Sequence, residues 1–207
     1  MADAFQLVLG TNNKKKRAEL VQLIGDRNIE LSSLQDFGAV QEVDETGTTF
    51  AANAKLKAVG YAGQTKRWVL AEDSGLSVRT LDGEPGVYSA RFSGPDATDE
   101  TNNVLLLERM DGKSDRLAWY TCNIAISDPD GNVVAQAESR CYGQILKHAR
   151  GDSGFGYDPL FEIPEYDLTF AQLGSHVKSV LSHRGRAYRK ILPKLIGIAN
   201  SAASVQA

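Results

Sequence analysis

"LAWYTCNIAISDPDGNVVAQAESRCYGQI", residues 117–145, decides the fold class. Both halves are rich in strand-forming residues, and "DPDG" (128–131) between them supplies turn chemistry, so the stretch predicts a long β-hairpin. A hairpin pairs its strands antiparallel and cannot belong to a purely parallel sheet. Upstream, "WVLAED" (68–73) reads as a strand that turns acidic at its end, and "TTFAANAKLKAVGYAG" (48–63) as a helix before it. "FQLVLG" (5–10) suits a buried strand. "TNNKKKRAELVQLIG" (11–25) then predicts a helix capped by Asn12 or Asn13, striped by Leu20, Val21, Leu23 and Ile24, and stopped at Gly25. "ATDETNNVLLLERMDG" predicts another helix, opened by Thr98 or Asp99 and closed by Gly112. "AYRKILPKLIGIAN" (187–200) predicts a last helix, bent or stepped at Pro193, with "SAASVQA" (201–207) frayed. Strands alternating with helices around a hairpin make an α/β protein with a mixed β-sheet flanked by helices, and with no linker or repeat the chain reads as a single domain, 1–207.

Composition bounds the function. With 207 residues, 42% hydrophobic and 24% charged, the chain can bury a substantial core. A net charge of −3 supplies no pull toward nucleic acid or an acidic membrane surface. Cys122 and Cys141 are too few for a disulfide framework and fall within predicted strands, as buried small apolar residues do. "MADAFQLVLG" does not resemble a signal peptide, and no apolar run approaches the ~18 residues of a membrane span. These features predict a cytoplasmic protein with no nucleic-acid or membrane partner.

Five polar clusters carry the chemistry. In "GTNNKKK" (10–16), backbone N–H groups at a helix start join Thr11, Asn12, Asn13 and Lys14, Lys15 and Lys16 in a phosphate cradle. The Walker spacing is missing. In "VDETGTTFAANAKLKA", Asp44 and Glu45 precede a Gly turn, and Asn53 and Lys57 share one helical face. "EDSG" (72–75) sets Glu72 and Asp73 side by side before Ser74, and adjacent like charges raise each other's proton affinity unless a cation intervenes. "GDSGFGYDP" (151–159) lets a glycine-rich backbone approach a ligand, with Phe155 and Tyr157 offering faces for a planar base. "KSVLSHRGRA" (178–187) brings Lys178, His183 and Arg184 near a Gly turn. Cations for polyphosphate, carboxylates for a divalent metal and aromatics for a base together describe a nucleoside triphosphate site, and Mg²⁺ would neutralise the carboxylates.

These stretches, in this order and spacing, resemble the noncanonical purine NTP pyrophosphatases, which act on ITP, dITP and XTP. The resemblance covers nearly the whole chain. It implies an elongated α/β fold with two lobes and a central substrate cleft, a homodimer, and hydrolysis between the α- and β-phosphorus. It further implies that Thr11 to Lys16 form the phosphate loop and that Asp73 is the general base and a metal carboxylate, with Ser74 beside the substrate. Phe155, Gly156, Tyr157 and Asp158 then meet the base, and Lys178, His183 and Arg184 close on it. Two departures stand out. The family's T-G-N-x-G-K loop has both glycines replaced here, by Asn12 and Lys15, so Asn must supply any positive φ the turn needs. The second metal carboxylate falls in "DETG", as Asp44 or Glu45. The alternatives are a non-catalytic nucleotide or RNA binder, which the paired carboxylates oppose, and a structural dimerisation module.

Overall fold

A computed structural model describes residues 4–25 and 27–205, and side chains as far as residue 202. The sheet has seven strands in the order β2-β1-β3-β4-β5-β6-β7, namely β1 (Phe5–Leu9), β2 (Ile29–Ser33), β3 (Trp68–Val78), β4 (Leu117–Ser127), β5 (Val133–Ile145), β6 (Phe161–Ile163) and β7 (Leu168–Thr169). β1 runs parallel to β2 and β3, whereas β6 is antiparallel to β5 and β7. The sheet is mixed, as the hairpin requires. Its turn forms because Asp128 Oδ1 accepts from the backbone N–H of Asp130 at 3.0 Å and of Asn132 at 2.8 Å. Gly131 takes the positive φ of +88° that other residues resist.

The helices are α1 (Lys14–Ile24), α2 (Phe50–Thr65), α3 (Asp99–Arg109), α4 (Ser175–Leu181) and α5 (His183–Val205). Asn13 caps α1, Thr49 caps α2 and Thr98 caps α3, each accepting from a backbone N–H of the first turn. α2 buries Asn53, Ala54, Lys57, Ala58, Tyr61, Ala62 and Thr65, so three alanines share the buried face with Asn53 and Lys57. The small residues leave room for the polar pair to reach inward.

Three boundaries differ from the sequence reading. β3 does not end at Asp73 but runs on to Val78, eleven residues in all, with Leu76 and Val78 fully buried. Long-range partners for its acids and apolar residues override the local look of a strand end. α5 starts at His183 rather than 187, because Ser182 accepts from the Gly185 N–H at 3.1 Å and caps the helix ahead of the glycine. α5 also continues through 201–205, where fraying was expected; Gln206 and Ala207 lie outside the described residues. Pro193 lies inside it.

The chain divides into two compact units. The first takes the chain up to Asp73, Asn123–Glu138 and the chain from Ala187 on. Its core includes Val8, Leu34, Ala54, Ala58, Tyr61 and Val69. In this unit α5 lies against β5: Lys190 Nζ donates to the Glu138 carbonyl at 2.8 Å and Lys194 Nζ to that of Gln136 at 3.2 Å. The second unit is Ser74–Cys122 with Ser139–Arg186. Its core holds an aromatic group in which Tyr120 meets Phe161 at 4.8 Å and Phe170 at 5.8 Å.

Both cysteines are buried thiols outside any disulfide. Burial pushes the Cys141 thiol up to about 11. The reactive thiolate is then scarce at this position near neutral pH. Iodoacetamide should therefore label Cys141 slowly in the native protein and readily in denaturant, as peptide mass spectrometry will show. Fast native labelling would contradict the buried strand position.

Candidate active site

The first unit's polar cluster grows from the end of β1. Gly10 donates its N–H to the Leu70 carbonyl at 2.8 Å, and a Cβ there would meet Val69 and Ala71 side chains at 3.0 Å. Glycine lets β1 press against β3 and delivers the 11–13 turn beside the acids. Asn13 Oδ1 accepts from the Lys16 N–H at 3.0 Å, and Thr11 Oγ1 from the Asn13 N–H at 3.2 Å. The amide oxygen of Asn13 is thus engaged in the cap. Asn12, Lys14 and Lys15 are exposed. Neither Asn12 nor Lys15 has positive φ, which corrects the expectation that asparagine supplies it. The loop turns without left-handed backbone at either position, so neither needs glycine for its φ.

Glu72 and Asp73 answer their own puzzle by strand geometry, since successive side chains leave opposite faces. Glu72 is buried with Lys16 Nζ 3.5 Å from its Oε1. Asp73, also buried, meets Lys57 Nζ at 3.1 Å through Oδ1 and accepts from Asn53 Nδ2 at 3.2 Å through Oδ2. The same ammonium lies 3.1 Å from Glu45 Oε1. Asn53 Oδ1 in turn accepts from the Gly47 N–H at 2.8 Å, and a Cβ on Gly47 would come within 2.6 Å of that oxygen. Glycine thus lets the 44–47 segment close on α2. Asn53 is spent on both sides, holding this segment to Asp73. Burial raises the proton affinity of Asp73; Lys57 opposes the shift and Glu45 adds to it. Burial alone would lower Lys57, but Asp73 and Glu45 outweigh it and raise it.

Of the acidic pair, Glu45 turns in to Lys57 while Asp44 stays exposed. On the Asp73 face of β3 two carboxylates, Glu45 and Asp73, share the Lys57 ammonium, while Glu72 pairs with Lys16 on the other face. No group of three or more His, Cys, Asp or Glu side chains suited to a metal occurs among the described residues. Two carboxylates in a net-negative cluster do fit an ion such as Mg²⁺, which takes one or two protein carboxylates and completes its shell with water and substrate phosphate.

The second unit's cluster centres on Arg184, only 1% exposed, whose Nη2 donates to Ser74 Oγ at 3.2 Å. Its guanidinium lies 5.7 Å from the Phe155 ring centroid, and Lys178 Nζ 4.6 Å from it. Lys178 Nζ also meets Asp158 Oδ2 at 2.6 Å, and that oxygen accepts from the Phe155 N–H at 2.9 Å. A Cβ on Gly154 would fall 2.1 Å from Asp158 Oδ2, so glycine is required where the turn closes on this carboxylate. Asp158 is therefore buried in the frame of its own turn. Tyr157 is corrected outright: it is a core residue, 3% exposed, with its hydroxyl donating to the Ser89 carbonyl at 2.8 Å, and it offers no face for a base. Phe155 is half-buried, and Gly156 takes a φ of +62°. His183 is buried and stacks on Tyr120 at 4.6 Å, nearly parallel.

The sequence profile of the Ham1 family matches residues 7–194. The chain belongs to the Ham1 family. A dITP/XTP pyrophosphatase of Rhodopirellula baltica is 48% identical over 199 residues, covering 95% of this chain and 96% of that one. A dITP/XTP pyrophosphatase of an Exiguobacterium species is 44% identical over 192 residues, covering 93% and 97%. A solved Ham1 protein from Coxiella burnetii superposes with a TM-score of 0.86 at 36% identity, covering 93% of this chain and 99% of that chain. The α/β fold with its mixed sheet is the Ham1 fold.

Within the Ham1 chain, residues the sequence reading passed over also brace this cluster. Asn102 and Asn103 of α3 grip the backbone around Ser89 and Gly156, and Tyr120 backs His183. Two asparagines inside a helix are the signal, since asparagine is a poor helix former unless its side chain is engaged elsewhere.

Proposed function

We propose that this Ham1 protein hydrolyses dITP, XTP and ITP to the nucleoside monophosphate and pyrophosphate, clearing deaminated purine nucleotides from the precursor pool. The observation that carries it is Asp73: a buried carboxylate of raised proton affinity, fixed by Lys57 and Asn53 beside Glu45. Such a group suits a proton acceptor for water attacking the α-phosphorus. The names of the relatives, dITP/XTP pyrophosphatase, support the same reading. Lys16 and the first turn of α1 are assigned to the polyphosphate, and Lys178, Arg184 and the backbone of 154–158 to the base. Lys178 and Arg184 are donors only; a C6 keto oxygen accepts from them, while the amino group of adenine sets donor against donor. Glu45 and Asp73 would hold Mg²⁺, which would withdraw charge from the phosphates. A homodimer in the cytoplasm completes the proposal.

Pyrophosphate release from dITP and dATP, with Mg²⁺ present, tests it. Release from dITP at a kcat/KM far above that for dATP is expected; equal rates would mean that the site reads only the triphosphate.

Lys16→Ala should lower kcat/KM for dITP by about 10- to 100-fold, the worth of one hydrogen bond to a charged group. Lys14→Ala and Lys15→Ala, at exposed positions, should change it far less. Equal small losses at all three would mean a diffuse basic patch instead of a specific contact.

A further inference from the structure

The two asparagines in the first half of α3 do different work. Asn102 is buried; its Oδ1 accepts from the Ser93 N–H at 2.8 Å, and its Nδ2 lies 3.4 Å from the Ser89 carbonyl. The Ser89 carbonyl also accepts from the Tyr157 hydroxyl. Asn103, the next residue, sends Nδ2 the other way, to the Gly156 carbonyl at 3.0 Å. Its Oδ1 is buried with no hydrogen-bond partner among the described residues. A buried acceptor left unmet is unfavourable, so the side chain is held here by the bond its other end makes.

Gly156 needs that bond more than its neighbours do. Asp158 fixes the Phe155 N–H and Tyr157 is anchored in the core, but Gly156 sits between them at φ +62° with open space where a Cβ would be. Without a side chain to lodge it, its peptide plane is free to rotate unless its carbonyl is held. Asn103 holds it. A peptide plane carries a carbonyl on one side and the next N–H on the other, so fixing the Gly156 oxygen also fixes where the Tyr157 N–H points.

We infer that Asn103 is a positioning residue for base selectivity, setting the 154–158 backbone that reads the purine edge by clamping the Gly156 carbonyl. The inference rests on the proposed assignment of that turn to the base. Asn103 touches neither substrate nor reacting atoms in this role, and kcat for dITP is set elsewhere.

The test compares Asn103→Leu, Asn103→Asp and Asn103→Gln with the wild type, all with Mg²⁺, measuring kcat and KM for dITP and dATP and inhibition by inorganic tripolyphosphate. Leu removes the donor, and Asp, of the same shape, sets a carboxylate against the carbonyl. Both should raise KM for dITP roughly two- to tenfold, the scale of one hydrogen bond, with kcat nearly unchanged and the dITP-to-dATP ratio reduced. Gln keeps a donor and should restore the ratio to within about twofold of wild type. Tripolyphosphate, which has no base, should inhibit every variant equally. Unchanged KM and selectivity in both Leu and Asp variants would overturn the inference while leaving the proposed function standing. So would a Gln variant that falls with them, or a lowered Tm and weaker tripolyphosphate inhibition without loss of selectivity, which mark a merely structural residue. A wild type that does not distinguish dITP from dATP overturns the base assignment itself, and the inference with it. Should the Leu variant fail to fold, the Asp variant decides.

Discussion

Asp73→Asn should lower kcat for pyrophosphate release from dITP by at least ~10²-fold, the usual contribution of a general base. Asn keeps the shape but loses the charge and the basic oxygen. It also sets an amide donor into a pocket that already presents the Lys57 ammonium and the Asn53 amide. The protein should nonetheless stay folded, because Lys57 keeps Glu45 as a partner 3.1 Å away. A circular dichroism melt close to wild type beside the lost turnover separates chemistry from stability. A variant retaining most of its kcat would move the base to another carboxylate. Glu45, on the same ammonium, is then the next choice, since Glu72 leaves the opposite face of β3 and pairs with Lys16.

Removing divalent metal should abolish turnover altogether, and added Mg²⁺ should restore it. Glu45 and Asp73 share one ammonium, that of Lys57, and a triphosphate would add several more negative charges beside them. Without a further cation the substrate meets repulsion where it must bind. Folding carries no such requirement, because Lys57 already lies between Glu45 and Asp73. The Tm without substrate should therefore move little when EDTA is added. Full activity in metal-free buffer would sink the mechanism.

Much of this protein is legible in its sequence because the relevant signals are local. The 117–145 hairpin is written in strand formers around an Asp-Pro-Asp-Gly turn, and the starts of α1, α2 and α3 in their capping side chains. What escapes a local reading is set by partners distant in sequence. The length of β3 depends on Lys16 and Lys57, which make a mid-strand acidic pair tolerable and which no window around residue 72 contains. Phe155 and Tyr157 look interchangeable in "GFGYD"; only the Ser89 carbonyl, 68 positions away, takes the tyrosine into the core. Asp44 and Glu45 differ likewise by which one Lys57 can reach. The site chemistry was readable as a set of residue types. Which members face inward was not, because that is decided by the fold.

One feature of α5 bears on how the protein behaves in a crowded solution. Among the described residues β6 pairs with β5 at residues 144 and 145, and further along β5 the carbonyls of Gln136 and Glu138 accept from side chains of α5. An open row of strand carbonyls invites pairing with another chain. Lys190 and Lys194, one helical turn apart, fill those positions with ammonium donors that cannot propagate a ladder. The closing helix thus places side-chain ammonium donors, rather than the backbone of another chain, on these carbonyls of β5.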